Sequence, residues 1–155
     1  MAARPASSAI SCTRRELLAA CAILASGSAL AAEPEVFTFD TLYKSIGVMG
    51  IVYSDRLVAA KGNEISLTGY MAPPLKAEST FFVLTREPMA ICPFCQSDAD
   101  WPIDIIVVYL AAMSPLVGAG TKVRVTGRIE IGSWTDPETG FVSQLRLRDA
   151  DYRRV

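Results

Sequence analysis

The sequence predicts an all-β fold with minor helix: a small five-stranded barrel with a long C-terminal hairpin. Three observations predict it. Short runs alternate polar and apolar residues, the period of a strand with one buried face. Gly, Pro and Asp cut these runs at close intervals. Two glycines fall inside runs, where a sheet that curls on itself must bend.

The first 31 residues read as a twin-arginine-type signal peptide, leaving residues 32–155 as one domain. Arg14 and Arg15 precede Leu17 and Leu18 and a short apolar stretch rich in alanine. Ala29 and Ala31 supply the small residues of a cleavage site before Ala32. This stretch is too short and too rich in Ala, Ser and Gly to span a bilayer, so the mature chain is expected to have no membrane span. Leu18-Ala19-Ala20-Cys21 resembles a lipobox, which makes a lipid anchor through Cys21 the minority alternative to a soluble periplasmic protein. Without residues 1–31 the chain keeps 12 of its 15 basic and 15 of its 16 acidic residues, a net charge of −3. That balance argues against general nucleic-acid binding.

Two helical turns are expected first. One covers residues 41–46 with Asp40 as its cap, and one covers residues 55–60, ended by Gly62. Five strands follow. Residues 64–70 alternate, 81–85 form a compact β-prone run, and 103–110 form a longer buried strand that starts after Pro102. Residues 122–131 and 144–148 alternate again. Between them, Asp136-Pro137-Glu138-Thr139-Gly140 makes a hairpin tip, with Pro presetting φ and Gly accepting its positive values. Gly69 and Gly127 are the two in-strand glycines. An oligonucleotide/oligosaccharide-binding (OB) type barrel accommodates this series, and an open sandwich is the second choice.

Cys92-Pro93-Phe94-Cys95 is the only cysteine pair beyond the signal, and the chain has no histidine. Ser-His-Asp and Cys-His catalysis are therefore excluded, as is imidazole ligation. Three uses remain for Cys92 and Cys95: a structural disulfide, a redox couple or part of a metal site. The redox reading needs a helix after the first cysteine, yet residues 96–101 have no apolar period, and Asp98 and Asp100 oppose a thiolate. Cu(I) could be held by both cysteines with Met89 and Met71 as supporting thioethers; Zn would need carboxylates such as Asp98 or Asp100. A local disulfide over one end of the barrel is the simplest use.

On the alternating strands Lys122, Arg124 and Arg128 share one face, and Arg146 and Arg148 alternate with Leu145 and Leu147. If the strands pair, five basic side chains decorate one surface, either as a docking patch for anionic lipid, glycan or an acidic partner, or as a solvated face. Trp134 and Phe141, beside the hairpin tip, are placed either to bind or to pack across strands.

Gly62, Gly69-Tyr70-Met71-Ala72-Pro73, the apolar run 81–84, the cysteine loop and the strands at 103–108 and 123–130 follow one order. That order, from about Thr41 to Asp149, resembles a family of small exported bacterial proteins classed as a domain of unknown function. The resemblance implies an OB-like barrel, a place beside transporters in the bacterial envelope and a link to metal supply. The family's loop carries a histidine where this chain has none. Together the readings point to an exported, periplasmic, non-catalytic binding or accessory protein with a protein partner in the envelope, such as a transporter, or a soft metal to handle. The alternative is a thiol–disulfide oxidoreductase using Cys-Pro-Phe-Cys.

Overall fold

A computed structural model describes residues 33–47, 50–73, 80–89, 102–113 and 115–155. The signal residues Arg14, Arg15, Ala29 and Ala31, together with Cys21, Cys92 and Cys95, lie outside the described residues.

Among the described residues, eight strands and one short helix form in the order β1 (Glu35–Phe37), a 3-10 turn (Phe39–Thr41), β2 (Tyr43–Gly47), β3 (Gly50–Tyr53), α1 (Asp55–Ala59), β4 (Glu64–Met71), β5 (Phe81–Thr85), β6 (Ile105–Leu110), β7 (Lys122–Thr135) and β8 (Val142–Arg154). The fold is all-β with a minor helix, as the alternation predicts. Five strands make a closed circuit, β4-β5-β6-β8-β7 and back to β4. Every neighbour in it is antiparallel except β6–β8, which is parallel. That is the strand order of an OB-type barrel.

The barrel is not a clean one. Along one edge of β4 the first half pairs in parallel with β1, from Glu35↔Ile65 to Phe37↔Leu67. Only Tyr70 and Met71 remain to register with β5. Along its other edge β4 pairs with β7 over its length, from Glu64↔Arg128 to Tyr70↔Lys122.

Gly69 lies where β4 turns from one partner to the next. A Cβ there would stand 2.6 Å from the Thr85 carbonyl oxygen and 2.9 Å from Leu84 Cγ, so a side chain would force the seam apart. Gly127 lies at a β-bulge. The β7–β8 register steps from Thr126↔Asp151 to Arg128↔Arg148, so two residues of β8 oppose one of β7. The extra residue, Asp149, takes φ +50°, which aspartate tolerates better than most side chains. A second step, from Ile131↔Leu145 to Trp134↔Ser143, carries Gly132 at φ +116°. Both bulges bend the hairpin so that it can close the circuit and still reach over the outer face.

Inward-pointing residues form the main core: Ile65, Leu67 and Met71 of β4, Phe82 and Leu84 of β5, Ile106 and Val108 of β6, and their counterparts on β7 and β8. Leu57 of α1 joins them, fully buried. On the outer faces of β5 and β6 lies a second cluster, with Phe81, Val83, Ile105, Val107 and Tyr109, against which Trp134 and Phe141 pack. Trp134 meets Tyr109 edge-on at 5.4 Å, and Phe141 stacks on Phe81 at 5.9 Å. The aromatics beside the hairpin tip are therefore packing residues. Burial on both faces explains why β5 and β6 read as unbroken apolar runs.

The tip forms as expected. Asp136 N–H donates to the Phe141 carbonyl at 2.8 Å, Gly140 has φ +72°, and Asp136 Oδ1 accepts from the N–H groups of Glu138 and Thr139. The helix at 55–60 also forms, capped by the Ser54 hydroxyl, which accepts from Leu57 N–H. The helix expected at 41–46 does not. Residues 43–47 are β2, paired with β3, and Tyr43 stacks on Tyr53 at 5.7 Å. Helix propensity over six residues is too weak to outweigh a hairpin that docks an aromatic pair on the core.

Candidate functional site

A concavity among the described residues lies where β5 ends and β6 begins. Thr85, Arg86, Glu87, Pro88 and Met89 form one wall and Pro102, Asp104 and Ile105 the other, around a cleft of about 480 Å³. Its walls are tied by the backbone: Arg86 N–H donates to the Asp104 carbonyl at 2.9 Å. The Thr85 hydroxyl lies 2.7 Å from the Glu87 carbonyl and 3.1 Å from that of Tyr70, which stiffens the exit from β5. The Arg86 guanidinium is ion-paired with Asp40 and lies 3.6 Å from the Asp104 carboxylate, so its charge is balanced. Glu87 adds a carboxylate, Pro88, Pro102 and Ile105 add apolar lining, and Met89 stands beside them with 36 % of its surface exposed.

Met71 does not join Met89. It is wholly buried in the main core, 0 % exposed, and does not line the cleft. The in-phase alternation of β4 that buries Ile65 and Leu67 also turns the Met71 thioether inward, so it packs and is not available as a supporting ligand. Among the described residues no group of three or more His, Cys, Asp or Glu is arranged to hold a metal.

The five basic residues do not form one exposed patch. Register sets Glu130 directly opposite Arg146, and its carboxylate falls between two guanidinium groups. Arg146 Nε donates to Glu130 Oε2 at 2.7 Å and Arg148 Nε donates to the same oxygen at 3.3 Å. Arg146, only 7 % exposed, also donates through Nη1 to the Gly132 carbonyl at 2.8 Å. The Arg148 guanidinium stacks at 3.9 Å on Trp134 and 4.3 Å on Tyr109. Arg128 is ion-paired with Asp149. Lys122 and Arg124 alone of the five make no ion pair among the described residues. A pattern of alternate charges shows the face but not the acid interleaved on the neighbouring strand, and this is why the sequence overstated the patch.

The electrostatics of the arginine–tryptophan cluster follows from these contacts. Burial alone would raise the Glu130 carboxyl, but the hydrogen bonds and charges of Arg146 and Arg148 hold it below its usual value. Burial would likewise raise Asp136, and the donors from Glu138 and Thr139 outweigh it and lower that carboxyl. Burial, then the Asp136 carboxylate beside it, pushes the Tyr109 phenol well up. All three stay in their ordinary charge states at neutral pH, so none is poised for proton transfer.

Sequence reasoning missed Arg153 and Arg154. The expected last strand stopped at Arg148, whereas β8 runs on to Arg154 and registers Arg153 against Arg124. The resumed alternation after Asp149, with Ala150 and Tyr152 turned inward, was the available signal.

No family model matches the chain, and no curated protein does. Among solved structures, it is similar to a DUF3299 family protein from Pseudomonas aeruginosa, with a TM-score of 0.54 at 14 % identity, over 79 % of this chain and 96 % of that one. At that identity the likeness is one of fold. A domain-of-unknown-function protein thus shares this architecture, in line with the kind of family the sequence resembles.

Proposed function

We propose that this protein is an exported, non-catalytic accessory protein of the bacterial envelope that engages its partner at the cleft between β5 and β6. The observation that carries the reading is that Met89 and Pro102, which bracket the Cys92-Pro93-Phe94-Cys95 segment in sequence, both line that cleft. The described residues on either side of that segment thus meet at one concave, partly apolar place, the kind of surface on which OB-type barrels carry ligands. In this reading Cys92 and Cys95 form a structural disulfide. The partner is a protein of the envelope, such as a transporter.

A reduction potential for the pair below about −300 mV is expected of a structural bridge. A value near those of the thiol exchangers, about −270 to −120 mV, would replace this reading with a thiol–disulfide enzyme. The exposed Met89 thioether, three residues before Cys92, favours soft-metal handling as a second reading. In that case the reduced protein binds Cu(I) in competition with a chromophoric chelator, and Cys92→Ser/Cys95→Ser removes the binding. Equal Cu(I) retention by the variant ends the metal reading.

A further inference from the structure

Cations on this chain fall into two groups. Arg56, Arg86, Arg128, Arg146, Arg148 and Lys44 each hold a carboxylate. Among the described residues, Lys61, Lys122, Arg124, Arg153 and Arg154 hold none. Four of those five meet on adjacent strands, where β7 begins and β8 ends: Arg124 is registered with Arg153, and Val123 with Arg154. Strand alternation puts Lys122, Arg124 and Arg153 on the outer face, since Val123 and Val125 between them are fully buried. Two uncharged neighbours on β4 extend the face. Arg124 Nε lies 3.3 Å from Thr68 Oγ1, and Lys122 Nζ lies 6.0 Å from the centre of the Tyr70 ring. Asp151 lies on the same outer face two register rows from Arg153, opposite Thr126; it makes no ion pair among the described residues, and its Oδ1 accepts from Tyr152 N–H.

Arg124 and Arg153 are like charges directly opposite on paired strands, an arrangement that weakens a sheet and that an anion lying over both would relieve. We infer that this outer face of β4, β7 and β8 docks an acidic, extended protein segment. Lys122 and Arg124 are two residues apart on one strand, about 6.8 Å, which is the repeat of alternate side chains on an extended peptide. Arg153 flanks Arg124 on the neighbouring strand, about 5 Å away, so three donors on two strands face one line of carboxylates. Thr68 and Tyr70 add hydroxyl groups to a face that offers little apolar surface for insertion into lipid. A long polyanion or an anionic bilayer would bring charge up against the rest of a net-acidic domain; a short acidic segment meets only the patch. The inference extends the accessory role proposed above by naming the chemistry of its partner. Its test involves neither cysteine nor the cleft, so either proposal can fail alone.

The test is fluorescence anisotropy at low salt with a labelled decapeptide of alternating glutamate and serine. Phosphatidylglycerol vesicles and a single-stranded oligothymidylate serve as competing probes. The full chain should bind the peptide, and Lys122→Glu/Arg153→Glu should weaken binding by about tenfold or more. Lys61→Glu, an exposed unpaired cation elsewhere, should change it by less than about twofold. If the double reversal lowers the yield of folded protein, Lys122→Gln/Arg153→Gln replaces it, with a loss of about threefold to tenfold expected. Absence of peptide binding by the wild type would overturn the inference, as would equal weakening by Lys61→Glu. So would patch-dependent binding of the vesicles or the oligonucleotide without binding of the peptide.

Discussion

Glu130→Gln probes the clamp on the outer sheet with little change of shape. Glu130 neutralises Arg146, whose side chain is 8 % exposed, and Arg148, whose side chain is 23 % exposed. Removing one partner of a fully buried pair costs about 3–5 kcal/mol, because the other charge is left stranded. Here the Glu130 side chain is 36 % exposed, and Arg146 keeps its bond to the Gly132 carbonyl. Water therefore reaches part of the site, and the expected loss falls to about 1–2 kcal/mol. For a domain of this size that lowers Tm by roughly 3–8 °C. Urea unfolding followed by circular dichroism reads the change, and double-mutant cycles apportion it. Coupling of Glu130 to Arg146, at 2.7 Å and nearly buried, should exceed its coupling to Arg148, at 3.3 Å and stacked on Trp134. An unchanged midpoint, or a larger coupling to Arg148, would refute the assignment of Arg146 as the stranded charge.

Further expectations concern acid, glycine and methionine. The folded carboxyls of Glu130 and Asp136 lie below their usual values, so their stabilisation is full above the unfolded pKa values and is lost as pH falls through the folded ones. The gap in stability between wild type and Glu130→Gln should accordingly narrow as pH drops below about 4, and a gap that widens would contradict the sign. Gly69→Ala should lower stability by about 1–3 kcal/mol in urea unfolding, since its Cβ would press on the Thr85 backbone oxygen, Leu84 and the Phe39 ring at 2.6, 2.9 and 3.0 Å. Met71→Ala should cost about 2–5 kcal/mol and Met89→Ala less than about 0.5 kcal/mol, a contrast that thermal unfolding of the two variants measures directly.

The barrel strands were legible because their information is local. Alternation in residues 64–70 and 122–131, Pro102 before β6, and the Asp136–Gly140 turn chemistry each act within a few residues, and the structure places elements there. What failed was set by distant partners. Residues 43–47 are a strand because β3 lies beside them, and no hexapeptide pattern encodes that pairing. β1 was invisible for the same reason: three residues earn strand geometry only by lying along β4. The basic residues were each recognised, but their grouping depended on a register that puts Glu130 among them and carries β8 on to Arg153. Met71 shows the converse. Its sulfur invited a chemical role, while its phase with Ile65 and Leu67 already assigned it to the interior.

One feature of the circuit bears on how the chain acquires its shape during synthesis. β8 follows both β6 and β7 in sequence, yet it joins them and so completes the ring of hydrogen bonds. A nascent chain can form the β5–β6 hairpin early, but the outer edge of β6 stays open until residues near Ala150 have left the ribosome. A stop codon inside β8 would thus release a species with a bare edge strand, prone to pair with its own copies, instead of a slightly shortened native protein.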